Sequence, residues 1–396
     1  MRVLLVAERY YPEVGAAPSR LTNMAEGLLQ QGAEVDVLTS LPNYPKGRIF
    51  DGYRHRVSKH EIINNCNVYR YWIFATVSRS AVKRALNMVS FALSIWLFAF
   101  KVRRCRSYDY VIIQTPTLFV ATSAMWLFKG VYSRKCILNI SDIWPSTAVD
   151  MGAMIEGSMS YKTMLWCERY LYRKADGIFG QSCEILERVK ELPNNNKLFL
   201  YRNLSKYVTD FNYREKGNPV KICFAGMLGV AQDIYSIVRN IDFKELNVEF
   251  HIIGGGNQYE EIKKFVDEHP GCNVVMHGFV SKNQMQEMYR QFDAAIVPLM
   301  SRIRGAFPSK IFDILPMGIP VLLCGEGEVA DYVESRGVGY TSRPADYTAL
   351  RNNIICIRDQ ASDAYCNMSA ACISTTHDEL DFDKQIKKCF EFILSL

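Results

Sequence analysis

The sequence predicts an α/β protein built from two successive doubly wound domains, and three observations carry that prediction. The chain has 396 residues, more than one hydrophobic core fills before chains divide into domains. Short apolar runs of strand length alternate with amphipathic stretches of helix length, the pattern of a parallel sheet covered by helices. The alternation then restarts after Lys206–Pro219, a polar, turn-rich stretch that reads as a linker.

Val3–Val6 opens the chain as a buried strand. Ser19–Gln31 follows as a helix, because Leu21, Met24, Ala25, Leu28 and Leu29 recur at helical spacing and Gly32 supplies the stop. Val35–Thr39, Tyr110–Gln114 and Cys136–Ile140 are further strands of this half. The second half repeats the pattern with Val220–Ala225, Val248–Ile253, Asn273–Met276, Ala294–Pro298 and Val321–Cys324, separated by helical stretches such as Gln284–Phe292. The end, Asp383–Leu394, is amphipathic, with Ile386, Cys389, Phe390 and Ile393 as its apolar positions. Two α/β halves joined in this way predict a hinged pair with a deep interdomain cleft, since ligands bind beyond the C-terminal ends of the strands in such folds.

With 49% hydrophobic and 22% charged residues, the composition is that of an ordinary globular protein. No basic leader with a cleavage site is visible at the N-terminus. The 12 cysteines are scattered singly, without a C-x-x-C pair, which fits a reducing compartment. The net charge of +6 conceals an asymmetry: residues 1–205 carry 27 basic and 16 acidic side chains, residues 206–396 carry 20 and 25. A basic half joined to an acidic one points to a polyanionic partner: nucleic acid, an anionic bilayer or a phosphorylated substrate. Nucleic-acid signatures are missing, so that class is excluded. The apolar, aromatic-rich run over Ala85–Phe100 is sixteen residues long, short of the roughly 20 that span a bilayer. Arg79, Lys83 and Arg84 precede it, and Lys101, Arg103, Arg104 and Arg106 follow. Residues 79–106 are therefore expected to lie in the interface of an anionic membrane, unless the helix is simply core with charged ends.

Two constellations can carry chemistry. Pro12–Arg20 lies between the first strand and the first helix. There Gly15 and Ala16 permit close backbone approach to a ligand, and Arg20 offers a permanently charged fork. Its bland alternative is a tight turn with an exposed arginine. Arg304–Asp313, followed by Gly318-Ile319-Pro320-Val321, opens a helix at Ser309 with Lys310 in the first turn. A cation there opposes the helix dipole by a few tenths of a kcal/mol. A bound diphosphate removes that conflict, and Asp313 one turn later can accept two hydrogen bonds from a ribose diol. The alternative is a capped helix with solvated charges. Asp381-Phe382-Asp383 has an Asp-x-Asp form, but it precedes the terminal helix instead of following a strand and reads as a cap. Gly254-Gly255-Gly256 is no dinucleotide fingerprint, and there is no P-loop or zinc motif.

Gly15…Arg20, Pro308-Ser309-Lys310-x-x-Asp313 and Gly318-x-Pro320-Val321 resemble the donor-site segments of glycosyltransferase family four, the retaining enzymes of GT-B fold. The resemblance spans essentially the whole chain. Pro42–Gly47, Ser141–Pro145 and Gly226–Gln232 are similar to the branch of N-acetyl-L-fucosamine transferases of bacterial O-antigen and capsule assembly. The resemblance implies two Rossmann-like domains: residues 1–205 on the acceptor and membrane side and residues 206–380 binding the nucleotide-sugar. Residues 381–396 would form a helix crossing back to the N-terminal domain. It implies a UDP-sugar donor, a polyprenyl-diphosphate-linked saccharide as acceptor, and a cytoplasmic location against the inner face of the cell membrane, with no cofactor or metal. The donor segments would be Gly15 and Ala16, Gly226, Gly229 and Gln232, Gly255, His277 and Gly278, and Phe307, Pro308, Ser309 and Asp313.

Two departures stand out. The first glutamate of the family's Glu-x7-Glu motif falls on Gly305, and Met227 with Ala231 or Gln232 stands where the Gly226 loop usually carries an Arg/Lys pair. The charge that meets the leaving diphosphate is therefore expected from Lys310 and Arg20. Asp142, after the strand Cys136–Ile140, is the candidate acceptor for the incoming hydroxyl's proton, with a turn or capping role as its alternative. Two other functions remain open: a UDP-sugar 2-epimerase of the same architecture, and a non-catalytic sugar-nucleotide-binding protein.

Overall fold

The computed structural model describes every residue except 79, 102–106, 133, 193–195, 205, 207–214 and 281. Much of the expected linker, and the basic residues Arg79, Arg103, Arg104 and Arg106, lie outside the described residues. The chain divides into two compact units, Met1–Lys206 with Arg304–Ala306 and Phe382–Leu396, and Tyr207–Ile303 with Phe307–Asp381.

The first unit begins with β1 (Arg2–Val6), α1 (Ala16–Gln30), β2 (Glu34–Ser40), β3 (Ser58–Ile63), β4 (Cys66–Tyr71) and α2 (Ala81–Lys101). It continues with β5 (Tyr110–Gln114), α3 (Leu118–Met125), β6 (Lys135–Ile140), α4 (Ser146–Asp150), α5 (Met159–Lys174), β7 (Gly177–Gly180), α6 (Cys183–Lys190) and β8 (Lys197–Leu200). Its sheet has the order β3-β4-β2-β1-β5-β6-β7-β8. Every pairing is parallel but the hairpin β3–β4, whose turn residues Asn64 and Asn65 both adopt positive φ. Asparagine tolerates that left-handed geometry, which matches a two-residue turn to the twist of the strands. The strand order reverses between β1 and β5, so the loops after them splay apart and open a crevice.

Helix α1 starts at Ala16, one turn earlier than its apolar spacing indicates, with Gly15 as its N-cap at φ 155. Helix α2 is longer than the apolar run alone: Val82–Phe100 is long and apolar enough to cross a membrane by length and composition, and 28% of the span is buried. Its inner face places Phe91, Ile95 and Phe98 in the core with Val6, Val111, Ile113 and Leu138.

The second unit comprises β9 (Val220–Ala225), α7 (Ile234–Asn240), β10 (Val248–Ile253), α8 (Tyr259–Glu268), β11 (Val274–Gly278), α9 (Lys282–Tyr289) and β12 (Ala294–Pro298). Then follow α10 (Lys310–Ile314), β13 (Val321–Cys324), α11 (Glu328–Ser335), β14 (Gly339–Ser342), α12 (Tyr347–Asp359) and α13 (Ser362–Glu379). The six strands are all parallel, in the order β11-β10-β9-β12-β13-β14. This is the 3-2-1-4-5-6 arrangement of a Rossmann-type sheet, with its switch point between β9 and β12. Helices α8 and α12 bury Ile262, Leu350, Ile354 and Ile357 against Ile222, Phe224, Phe250 and Ile296.

Helix α14 (Phe382–Leu394) belongs to the first unit. It buries Phe382, Ile386, Cys389 and Ile393, while Phe390 is only half-buried. A side chain on Gly27 would meet Ile386 Cδ1 at 2.5 Å, so this glycine is what lets α14 approach α1. Gln385 locks the register through 2.9 Å hydrogen bonds from the Arg202 N–H and to the Arg202 carbonyl. Asp383 is exposed and lies 3.3 Å from Lys206, at the helix start.

Candidate active site

In the second unit the loops beyond β9, β10 and β11 are sewn together by glycines. Gly226 N–H donates to the Ile253 carbonyl (2.9 Å), Gly254 N–H to Gly278 (2.7 Å) and Leu228 N–H to Gly255 (3.0 Å). A Cβ on Gly254 would fall on the Gly226 carbonyl, and one on Gly256 on the Leu228 carbonyl. Gly254 also has φ +131, so both space and conformation demand glycine there. Gly229 accepts hydrogen bonds from the Gln232 and Asp233 N–H groups (3.1 and 3.0 Å), closing the turn into α7. His277 and Gly278 are the last residues of β11 instead of following it. The His277 ring stacks on His251 and sits 2.9 Å from its Nδ1, and burial pushes both imidazoles below their ordinary range.

Lys310 reaches back over this platform. Its ammonium stands 3.8 Å from the centre of the Phe224 ring and lies against the Gly226 Cα, where any side chain would displace it. Burial brings its pKa down to about 7. The cation–π contact recovers only about 0.5–2 kcal/mol of the solvation a lysine loses there. Asp313, one turn on, is pushed up to about 7 by burial. A half-charged cation beside glycine backbone and a half-charged carboxylate nearby both favour a ligand that restores their charge. Ser309 is the N-cap of α10, and the Ser309 and Pro308 carbonyls accept from Phe312 and Ile311 at 3.0 and 3.2 Å. Phe307 is buried, stacked parallel on Phe312 at 5.1 Å with Tyr332 edge-on at 5.3 Å. It supports the loop from beneath.

In the first unit Arg20 is buried, not the exposed residue of a simple turn. It donates to Gln181 Oε1 (2.7 Å) and Ser141 Oγ, while its Nε has no partner among the described residues. Burial drives its pKa down and Asp142 partly restores it; burial drives the Asp142 carboxyl up and Arg20 partly restores that. The structure thus brings Arg20 and Asp142 together at the C-terminal ends of β6 and β7. Gln114, Asn139 and Gln181 fix the Ser141 segment: Gln181 Nε2 donates to the Ser141 carbonyl (2.6 Å), Gln114 Nε2 to its hydroxyl (2.6 Å), and Asn139 Nδ2 to Gln114 Oε1 (2.8 Å). Asp142 is not the cap of α4, whose N-cap is Pro145.

Some of this was invisible in sequence. Glu13 is buried and accepts from the Asn43 and Tyr44 N–H groups (2.8 Å each) and from Tyr10 N–H (3.2 Å), tying the 42–54 loop to the Gly15 turn. Gln181 could have been found as the residue between a short strand and Ser182, the N-cap of α6. Gly305 explains its own departure: it has φ +80, and a side chain there would meet Ile143 and Ile185 at 2.9 Å. Its N–H donates to the Glu184 carboxylate at 2.6 Å. Among the described residues no group of three or more His, Cys, Asp or Glu side chains could hold a metal ion.

Two doubly wound units of this topology, each with polar groups at the C-terminal ends of its strands, are those of the GT-B fold. The family comparisons agree: residues 15–197 match the glycosyl transferase 4-like domain and residues 220–360 match glycosyl transferases group 1. Both halves of the chain thus match glycosyl transferase families, each over its own stretch. It is 23% identical over 373 residues to Escherichia coli K12 WcaI, provisionally described as a colanic acid biosynthesis glycosyl transferase, covering 88% of this chain and 90% of that one. Among solved structures, sucrose-phosphate synthase from Thermosynechococcus elongatus superposes with a TM-score of 0.74 at 13% identity, covering 100% of this chain and 98% of that one. Anabaena HepE in complex with UDP and glucose superposes with a TM-score of 0.68 at 13% identity, covering both chains fully.

Proposed function

We propose that this chain is a retaining, metal-independent glycosyltransferase of bacterial surface polysaccharide assembly. It moves a sugar, an N-acetylated deoxyhexosamine, from a UDP-sugar to a polyprenyl-diphosphate-linked saccharide at the inner face of the cell membrane. The observation that carries this reading is Lys310, held half-charged against the backbone of Gly226 at the switch point of the second sheet. An anionic diphosphate is the ligand that restores such a cation, and cations already in place stabilise charge on a leaving group without reorganisation. Asp313 then takes the ribose, and the interlocked loops at Gly229, Gly255 and Gly278 supply a backbone floor for the nucleotide. Arg20 and Asp142 serve the sugar and the incoming hydroxyl, with Asp142 accepting its proton. The complexes of HepE with UDP, and the polysaccharide pathway attributed to WcaI, support a UDP-sugar donor and a polysaccharide product.

The membrane part of the reading rests on α2. Val82, Leu86, Val89, Leu93, Leu97 and Phe100 form one exposed apolar stripe at helical spacing. Positions flanking the stripe are hydrogen-bonded into the protein: Asn87 Nδ2 and Ser94 Oγ donate to the Phe74 and Trp72 carbonyls (2.8 Å each), and Trp96 Nε1 to Ser123 Oγ (3.0 Å). A helix tied down on one face and apolar on the other lies in an interface and does not span it. Exposed Lys83 and Arg84 add attraction of about 1 kcal/mol each to anionic headgroups.

The test is a screen of UDP-sugars with a polyprenyl-diphosphate-linked acceptor in phosphatidylglycerol vesicles, reading UDP release. Release that depends on both substrates and falls at least a hundredfold in Lys310→Met is expected. UDP-sugar epimerised without acceptor, or UDP bound without turnover across the whole panel, would overturn the reading.

A further inference from the structure

The loop between β2 and β3 holds a cavity of about 290 Å³ lined by Lys46, Arg48, Ile49, Phe50, Asp51 and Arg54. Three of these side chains are cations and one is an acid. Asp51 is engaged by Arg54 at 2.8 Å, whereas Lys46 and Arg48 make no ion pair among the described residues. The lining therefore carries an excess of two positive charges. Ile49 and Phe50 give it an apolar, half-buried wall.

The position of the loop is fixed at both ends. Glu13 clamps the Asn43 and Tyr44 N–H groups, which holds Tyr44 Cε1 3.6 Å from where a Gly15 side chain would begin. Gly47 packs so closely on Thr76 and Val77 that a Cβ would lie 2.6 Å from Val77 N. Val77 is four residues before α2, the helix with the exposed apolar stripe. The cavity thus stands between the Gly15 turn and the root of the proposed membrane helix. Further along the sequence, residues 62–141 contain eleven Lys and Arg side chains and a single carboxylate, Asp109.

We propose that this cavity binds the diphosphate of the lipid-linked acceptor at the membrane surface, with Lys46 and Arg48 on its oxygens and Ile49 and Phe50 against the group esterified to it. The proposal rests on the membrane-acceptor reading above and adds where the acceptor is held. A diphosphate diester carries two negative charges and matches the excess of the lining, whereas a phospholipid phosphodiester carries one. Lipid diphosphates sit at the level where hydrocarbon meets water, the level at which α2 would lie.

The experiment measures binding of inorganic pyrophosphate, and of farnesyl diphosphate in neutral phosphatidylcholine vesicles, with saturating UDP present to occupy the donor site. Wild type is compared with Lys46→Gln/Arg48→Gln and with the charge-conserving Lys46→Arg. Removing one charge-assisted hydrogen bond weakens binding by about tenfold or more, so the double variant should bind both probes at least about a hundredfold more weakly. Lys46→Arg should retain most of the affinity. UDP affinity and the melting temperature of the double variant should match wild type, which establishes that it folds and keeps its donor site. Equal binding of both probes by wild type and double variant overturns the proposal, as does no binding by wild type. Phosphatidylglycerol vesicles form the second arm: if the double variant loses affinity for them as strongly as for farnesyl diphosphate, the site reads a phospholipid headgroup and the acceptor assignment falls. None of these readouts needs turnover, so failure of the transfer reaction itself would be seen separately.

Discussion

Lys310 and Asp313 make the pH dependence of nucleotide binding a sharp test, because burial brings both to about 7 from opposite directions. In the free protein near pH 7 each is half-charged, while the complex needs the lysine protonated and the carboxylate ionised. Affinity for UDP then follows the product of two fractions and is bell-shaped around neutrality. Two ideal titrations centred at 7 give a loss of about threefold one pH unit away and about 25-fold two units away. Binding should take up about 0.8 proton at pH 8, where the lysine is the deficient partner. Below pH 7 the sign reverses, because Asp313 must release its proton. Calorimetry at pH 6.5–9 in buffers of different ionisation enthalpy reads affinity and proton uptake together. Lys310→Met should abolish the alkaline limb and Asp313→Asn the acid limb, while the double variant retains only the titration of UDP itself. The free protein should show the complementary cost. Asp313 holds its proton above the ordinary carboxylate range, so its penalty grows as pH rises from about 4 to 7. Lys310 loses its proton below the ordinary lysine range, so its penalty fades only as pH rises from about 7 to 10. A flat affinity profile in wild type, or one unchanged in Lys310→Met, would refute the placement of these groups against the diphosphate and ribose.

Other outcomes follow from the same packing. Arg20→Met strands the Asp142 carboxylate without its cation and should cost about 3 kcal/mol in urea unfolding. The loss should be smaller at pH 5 than at pH 8, since a carboxyl with a raised pKa is more readily neutralised in acid. Gly254→Ala drives a methyl into the Gly226 carbonyl at a positive-φ position; a loss of about 3 kcal/mol or more is expected, with UDP affinity falling before the fold does. Ile386→Ala empties the seat of α14 on Gly27 and should cost about 2–4 kcal/mol by thermal unfolding, leaving UDP affinity near wild type. Leu93→Glu/Leu97→Glu, on the exposed stripe of α2, should abolish flotation with phosphatidylglycerol vesicles without lowering the melting temperature.

The parallel strands were the most legible part of the fold. Strands β5, β9, β10, β12 and β13 fall where their apolar runs end, because a strand buried on both faces is a continuous hydrophobic word bounded by turns. The hairpin β3–β4 was hidden, since Ser58–Ile63 starts with four polar residues and buries none fully, and its turn relies on two asparagines where glycine is the usual signal. Strands β7, β8 and β14, four residues each, are too short for periodicity to register. At the candidate site, local chemistry marked Lys310, Asp313 and Asp142, but not their surroundings. What changes Lys310 is the Phe224 ring and the Gly226 backbone, far away in sequence. The burial of Arg20 was likewise hidden, because its hydrogen-bond partners Ser141 and Gln181 follow two other strands. Glu13 carried no signal: its hydrogen bonds go to backbone N–H groups of a loop that sequence does not place beside it.

The most direct test of transfer is mass spectrometry of the acceptor itself. After incubation of wild-type protein with UDP-N-acetylated deoxyhexosamines and a short polyprenyl-diphosphate-linked saccharide, the acceptor should gain the mass of one sugar residue, and Lys310→Met should leave it unchanged. An acceptor that never gains mass across the donor panel, while the protein binds UDP with the bell-shaped profile described above, would contradict transferase function and leave only a nucleotide-binding protein.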